Sequence, residues 1–190
     1  YHVVQTADER AALLKTLLNQ EEVCFDTETT GLDARTALPL GISFSFKPHE
    51  AWYVVCDGRA EGVSPLMTST SEPETQIANQ GTDVPCSPVL EEFRPFFEND
   101  SIRKVGHNLK YDITLLKWNG IETRGELMDT MLAHSMKEPE MRHGLDYLAE
   151  LYLAYKPVSI TTLIGPKGDN QKNMADVPLE DLAEYAGEDA

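Results

Sequence analysis

Two carboxylates set two residues apart in an apolar strand constrain this chain more than any other feature. Glu22-Val23-Cys24-Phe25-Asp26-Thr27-Glu28 is a β-rich run, and the two-residue period of a strand points Asp26 and Glu28 to one face. At the end of an otherwise apolar strand the two repel each other and are poorly solvated unless a cation sits between them. Oxygen-seeking Mg²⁺ or Mn²⁺ suits such a site better than zinc. Taken alone, the pattern also fits a solvated strand end or helix-capping carboxylates.

A second cluster, Val105-Gly106-His107-Asn108-Leu109-Lys110-Tyr111-Asp112, reads as a short strand giving way to a helix. Asp112 then falls in the first turn, where a carboxylate also simply favours the helix dipole, and Asn108 also reads as a cap. A third lies near the end. Tyr185 and Asp189 are four apart and share a face if that segment is helical, while Glu188 points elsewhere and reads as solvent-facing.

Around these clusters the chain reads as one α/β domain over residues 1–190. An amphipathic helix over Thr6–Leu18 precedes three strands, Glu22–Glu28, Gly41–Phe46 and Ala51–Cys56, whose short connections at Gly31, Pro39 and Pro48-His49 suit an antiparallel meander. Asp57–Ser87 is polar and reads as an irregular insertion. Beyond it the pattern predicts a helix at Pro88–Glu98, a strand at Ile102–Gly106, and helices at Asn108–Trp118, Leu127–Lys137, Leu145–Tyr155 and Pro178–Ala190. The expected fold is a mixed central sheet, an antiparallel meander plus parallel strands, flanked by helices. Leu145, Leu148, Leu151 and Tyr152 form a helical stripe expected to be core.

Composition narrows the function. With 16 Lys+Arg against 32 Asp+Glu, the net charge of −16 weighs against gripping nucleic acid by phosphate neutralisation, so any such substrate needs help from elsewhere. Three cysteines without C-x-x-C spacing suggest neither a disulfide framework nor a zinc knuckle, and fit a reducing, cytoplasmic setting. No apolar run approaches the roughly 20 residues of a spanning helix, so no membrane partner is expected. The chain starts at Tyr1 without a leader and reads as a domain excised from a longer protein.

Taken in order, the three clusters resemble the DEDDy branch of the DnaQ-like exonuclease superfamily, which has a ribonuclease H-like fold. The likeness is greatest to the 3′–5′ proofreading domains of bacterial DNA polymerase I. It rests on Phe25–Thr29, Asn108–Asp112, Asp129–Met131, Leu145–Glu150, Gly168–Gln171 and Tyr185–Ala190, which follow the family's order along nearly the whole chain. The resemblance implies that Asp26, Glu28, Asp112 and Asp189 bind two divalent cations, Mg²⁺ or Mn²⁺, which polarise the scissile phosphate and activate water. It implies that Tyr185 orients the attacking water; a phenol of reference pKa about 10 is a poor base near neutrality.

The resemblance further implies that Thr27, Leu32, Asn108, Tyr111 and Arg142 face the substrate, with Leu32 wedged against the terminal base. Leu32, Asn108, Tyr111 and Arg142 read equally as a turn leucine, a helix cap, a core tyrosine and a surface arginine. Ile160 stands where some relatives carry an aromatic wedge, which predicts weaker stacking there. Asp129 reads as a cap and His107 as structural. The implied function is metal-dependent removal of mispaired nucleotides from a single-stranded or frayed 3′ end of DNA, with a covalently attached polymerase domain holding the duplex. An RNA-trimming exonuclease of the ribonuclease D kind is the alternative enzyme. An inactive domain bracing a polymerase is the non-enzymatic one.

Overall fold

The computed structural model describes residues 1–57, 87–168 and 171–190. The insertion read over Asp57–Ser87 lies outside them except for its two end residues, as do Asp169 and Asn170 of the Gly168–Gln171 word.

The fold is organised by β2 (Glu22–Thr29), whose alternation sends Val23, Phe25 and Thr27 to one face and Asp26 and Glu28 to the other. It pairs antiparallel with β3 (Pro39–Lys47), which pairs antiparallel with β4 (Glu50–Val55), so the expected meander is present. On its other edge β2 runs parallel to β5 (Arg103–Gly106), which runs parallel to β6 (Leu127–Asp129). A short β1 (His2–Val4) closes the far edge beside β4. Among the described residues this makes one mixed six-stranded sheet in the order β1-β4-β3-β2-β5-β6.

The two faces do different things. Phe25 stands opposite Phe44, and this pair packs against Phe93, Phe96 and Phe97, with ring centroids 5.2 to 6.2 Å apart between the strand and the helical segment. All five rings are fully buried, so this face is the apolar core. On the other face Asp26 stands opposite Ser43, and Glu28 opposite Gly41. A Cβ at Gly41 would come within 2.2 Å of the fully buried Tyr53 ring, so any larger residue there would have to displace that ring. The C-terminal helix, α8 (Leu179–Asp189), crosses β2, β3 and β4, burying Leu182, Ala183, Ala186 and Gly187.

The remaining helices are α1 (Ala7–Leu17), α2 (Pro88–Glu92), α3 (Arg94–Phe97), α4 (Lys110–Trp118), α5 (Thr130–Lys137), α6 (Leu145–Leu153) and α7 (Ile160–Ile164), with a single 3₁₀ turn at Met174–Asp176. The helix expected over Pro88–Glu98 is two short ones, because Pro95 has no N–H to continue the ladder and the chain breaks at Phe93. The helix expected over Leu127–Lys137 begins only at Thr130. Its first three residues join the sheet, and Asp129 Oδ1 accepts the N–H groups of Met131 and Leu132, which makes Asp129 the expected cap. β1, α7 and the 3₁₀ turn had no strong local signal.

The Leu145–Tyr152 stripe is not core. Leu151 and Tyr152 are 47% and 52% exposed, and Ala149 is the buried residue of α6. No helix among the described residues is long and apolar enough to cross a membrane.

Candidate active site

Two elements far apart in sequence deliver three carboxylates to one point. Asp26 and Glu28 leave the same face of β2, and Asp189 arrives on the last turn of α8, so that one ligand oxygen from each lies within 4.8 Å of the others. Glu28 is buried, Asp26 and Asp189 half-buried.

Asp112 approaches from behind, on the first turn of α4. Its Oδ1 accepts both the Thr27 backbone N–H, at 3.0 Å, and the Thr27 hydroxyl, at 2.5 Å. Of the four expected ligands it alone stands outside the close trio, yet its charge still acts on Asp26 and Glu28.

The electrostatics are one-sided. Burial, then the charges of Asp112, Glu28 and Asp189, hold Asp26 well above the usual carboxylate range. Glu28 is pushed up to about 8 by burial and by Asp189 and Asp112. Asp189 is pushed up to about 7, chiefly by burial, with a hydrogen bond from Tyr185 pulling it back and Asp146 adding repulsion. Asp112 is pushed up to about 6 by burial, its bonds to Thr27 opposing the rise. Among the described residues, the charges that bear most on Asp26 and Glu28 are carboxylates. A compact set of hard oxygen donors that repel one another fits a divalent cation.

Tyr185 lies one turn before Asp189, and burial, then the charge of that carboxylate, pushes its phenol up, so it stays protonated at neutral pH. Glu188 is not solvent-facing as expected. It accepts the Tyr155 hydroxyl and, at 2.7 Å, the Val158 N–H, and so ties the chain after α6 to α8. Both partners lie some thirty residues away, and no local pattern points to them. Asp146, on the first turn of α6, is a further residue that sequence reasoning left without a role, although its charge reaches Asp189.

The expected substrate residues divide. Thr27 is buried with its hydroxyl spent on Asp112. Leu32 is 94% exposed at the turn after β2. The Tyr111 hydroxyl donates to the Gly31 carbonyl at 2.5 Å and lies 2.6 Å from the Thr29 hydroxyl, so Tyr111 is neither core nor free. Asn108 does not cap α4 with its side chain: it sits in the left-handed region at φ 63°, its N–H donating to Asp129. Arg142 is exposed, and Ile160 opens α7 at 40% exposure. His107 hydrogen-bonds the Thr130 hydroxyl through Nδ1 at 2.9 Å, in keeping with a structural role.

A family profile described as 3′-5′ exonuclease matches residues 1–190. The chain belongs to the 3′–5′ exonuclease family. Within that family it is 34% identical over 190 residues to DNA polymerase I of Chloroflexus aurantiacus, covering 99% of this chain and 18% of that protein. It is also 34% identical over 193 residues to DNA polymerase I of Pseudomonas aeruginosa, covering 100% of this chain and 19% of that one. The chain thus spans about a fifth of the length of these relatives. Among solved structures, Escherichia coli RNase D superposes over 100% of this chain and 41% of its own, with a TM-score of 0.66 and 16% identity. Brucella melitensis NrnC with bound Mg²⁺ superposes over 90% of this chain and 67% of its own, at 0.60 and 18%. This family member is built on the ribonuclease H-like fold these structures share.

Proposed function

We propose that this exonuclease domain hydrolyses the terminal phosphodiester at unpaired 3′ ends of DNA, removing mispaired nucleotides one at a time as a DEDDy-type, two-cation enzyme. The observation that carries the reading is the convergence of Asp26, Glu28 and Asp189 within 4.8 Å, with carboxylates as the charged neighbours of Asp26 and Glu28.

In this reading Asp26, Glu28, Asp112 and Asp189 hold the cations, with Thr27 fixing Asp112 in place. Bound cations would supply positive charge where the pentavalent phosphate and the leaving 3′ oxygen develop negative charge. Tyr185, protonated and one helical turn from Asp189, orients the attacking water without acting as a base. Leu32 offers an apolar surface to the terminal base. A mismatched end unpairs at lower cost, so fraying supplies the selectivity. The net charge of −16 leaves the hold on duplex to a polymerase domain covalently attached in the full-length protein, as the shared length with DNA polymerase I supports.

The test is cleavage of a 5′-labelled, 3′-mismatched primer–template and of matched single-stranded DNA and RNA, with Mg²⁺ or Mn²⁺ and with chelator, beside an Asp26→Ala control. A ladder that shortens from the 3′ end, needs metal and vanishes in the control is expected. Preference for RNA would favour the ribonuclease D kind instead. No cleavage of any substrate by the wild-type chain would count for an inactive brace.

A further inference from the structure

The turn that leaves β2 is held more firmly than an exposed loop requires. The Thr30 N–H donates to the Leu38 carbonyl at 3.0 Å, and the Thr30 hydroxyl accepts the Leu38 N–H at 2.9 Å, which closes the loop at its base. From one side, Tyr111 on α4 and the Thr29 hydroxyl both donate to the Gly31 carbonyl. From the other, Asn173 Nδ2 donates to the Thr30 carbonyl at 2.9 Å, across 143 residues of chain. Leu32, the next residue of this turn, is 94% exposed.

Asn173 is itself fixed. Its Oδ1 accepts the Ala175 N–H at 2.9 Å and its own N–H donates to Asp176 at 3.3 Å, a reciprocal cap on the 3₁₀ turn. Met174 and Val177, both buried, anchor that turn against the body just before α8. Each end of the carboxamide meets its complement, oxygen to N–H and nitrogen to carbonyl, so its orientation is set by its partners. One side chain therefore couples the approach to α8, which carries Tyr185 and Asp189, to the turn that follows Asp26 and Glu28. A lone exposed leucine needs no explanation, but one on a turn braced from two other elements has been held at the cost of chain entropy.

We infer that Asn173 is a positioning residue: it fixes the turn bearing Leu32 so that an unpaired 3′-terminal base meets a rigid apolar surface, and thereby sets the affinity for single-stranded ends. The inference rests on the exonuclease reading above. Asn173 acts through Leu32 and touches no cation ligand.

The discriminating variant is Asn173→Ser, since serine caps a helix about as well as asparagine but is too short to reach the Thr30 carbonyl. On single-stranded DNA with Mg²⁺, its KM should rise about 3- to 10-fold, the value of one hydrogen bond, with kcat and the metal-induced rise in Tm unchanged. Leu32→Ala should raise KM as well, and Leu32→Ala/Asn173→Ser should be no worse than Leu32→Ala alone. Hydrogen exchange at the Thr30 and Leu38 amides should quicken in Asn173→Ser. A wild-type KM, fully additive effects in the double variant, or unchanged exchange at those amides each overturns the role of Asn173. No cleavage by the wild type overturns the exonuclease reading itself, and this inference with it.

Discussion

The Thr27 hydroxyl and backbone N–H both donate to one carboxylate oxygen of Asp112, so that a residue of β2 holds in place an acid that belongs to α4. Thr27 lies between Asp26 and Glu28 in sequence but on the opposite face of the strand. It leaves the two cluster-facing acids free while securing the third from behind. Thr27→Val keeps the shape and removes the hydroxyl. Since hydrogen bonds to charged groups contribute about 1.5–3 kcal/mol, the variant should lose stability of that order at pH 8, and the Asp112 carboxyl should rise further. Denaturant melts with and without Mn²⁺ would check this, and a variant as stable as the wild type would remove Thr27 from the support of the site.

In the proposed reaction Tyr185 orients water and does not take a proton, because burial and the charge of Asp189 both hold the phenol protonated. Tyr185→Phe keeps the packing and loses the hydroxyl. Turnover should fall about 10²-fold, as expected for a misplaced nucleophile, while the rise in Tm on adding Mn²⁺ persists. Loss of that rise in the variant would assign Tyr185 to metal binding instead.

Gly41 tests how the floor of the site is built. It pairs with Glu28 across the β2–β3 ladder, and a Cβ there would come 2.2 to 2.5 Å from the Tyr53 ring. Tyr53 is fully buried and has little room to yield. Gly41→Ala should therefore destabilise the domain by about 1–3 kcal/mol through overpacking, and weaken metal-dependent stabilisation because the strain falls beside Glu28. Equal melting temperatures for variant and wild type would show that the ring moves aside freely.

These relationships divide the readable from the unreadable in the sequence. Asp26 and Glu28 share a face because strands have period two, and Tyr185 and Asp189 because helices return after about four residues. Both facts need only local geometry. Phe25, the residue before Asp26, likewise had to face the core. The break at Phe93 was also available, since Pro95 announces it. By contrast, Leu127-Met128-Asp129 is too short to have a period, and its strand state is settled by pairing with β5. The exposed stripe on α6 has the same cause: an amphipathic pattern says which face is apolar, not what covers it. Glu188 and Asn173 took their roles from partners 30 and 143 residues away, a tertiary outcome that neither composition nor spacing encodes.

The acid cluster also fixes how the metal-free protein responds to pH. Asp112, Asp189 and Glu28 are pushed up to about 6, 7 and 8, and Asp26 is raised too, whereas in the unfolded chain all four titrate near pH 4. Between about pH 4 and 8 the folded state thus holds protons that the unfolded state has released, so stability falls as pH rises, by up to about 1.4 kcal/mol per pH unit for each extra proton held. At the proposed two-cation site, divalent cations would replace those protons. In EDTA the melting temperature should therefore decline from pH 5 to pH 8, and the increment given by Mn²⁺ should grow over the same range. Asp26→Ala and Glu28→Ala should flatten both trends, because each removes one of the mutually repelling charges. An EDTA melting temperature that climbs with pH over this interval would mean that other groups govern the balance and that the cluster is not held against its own repulsion.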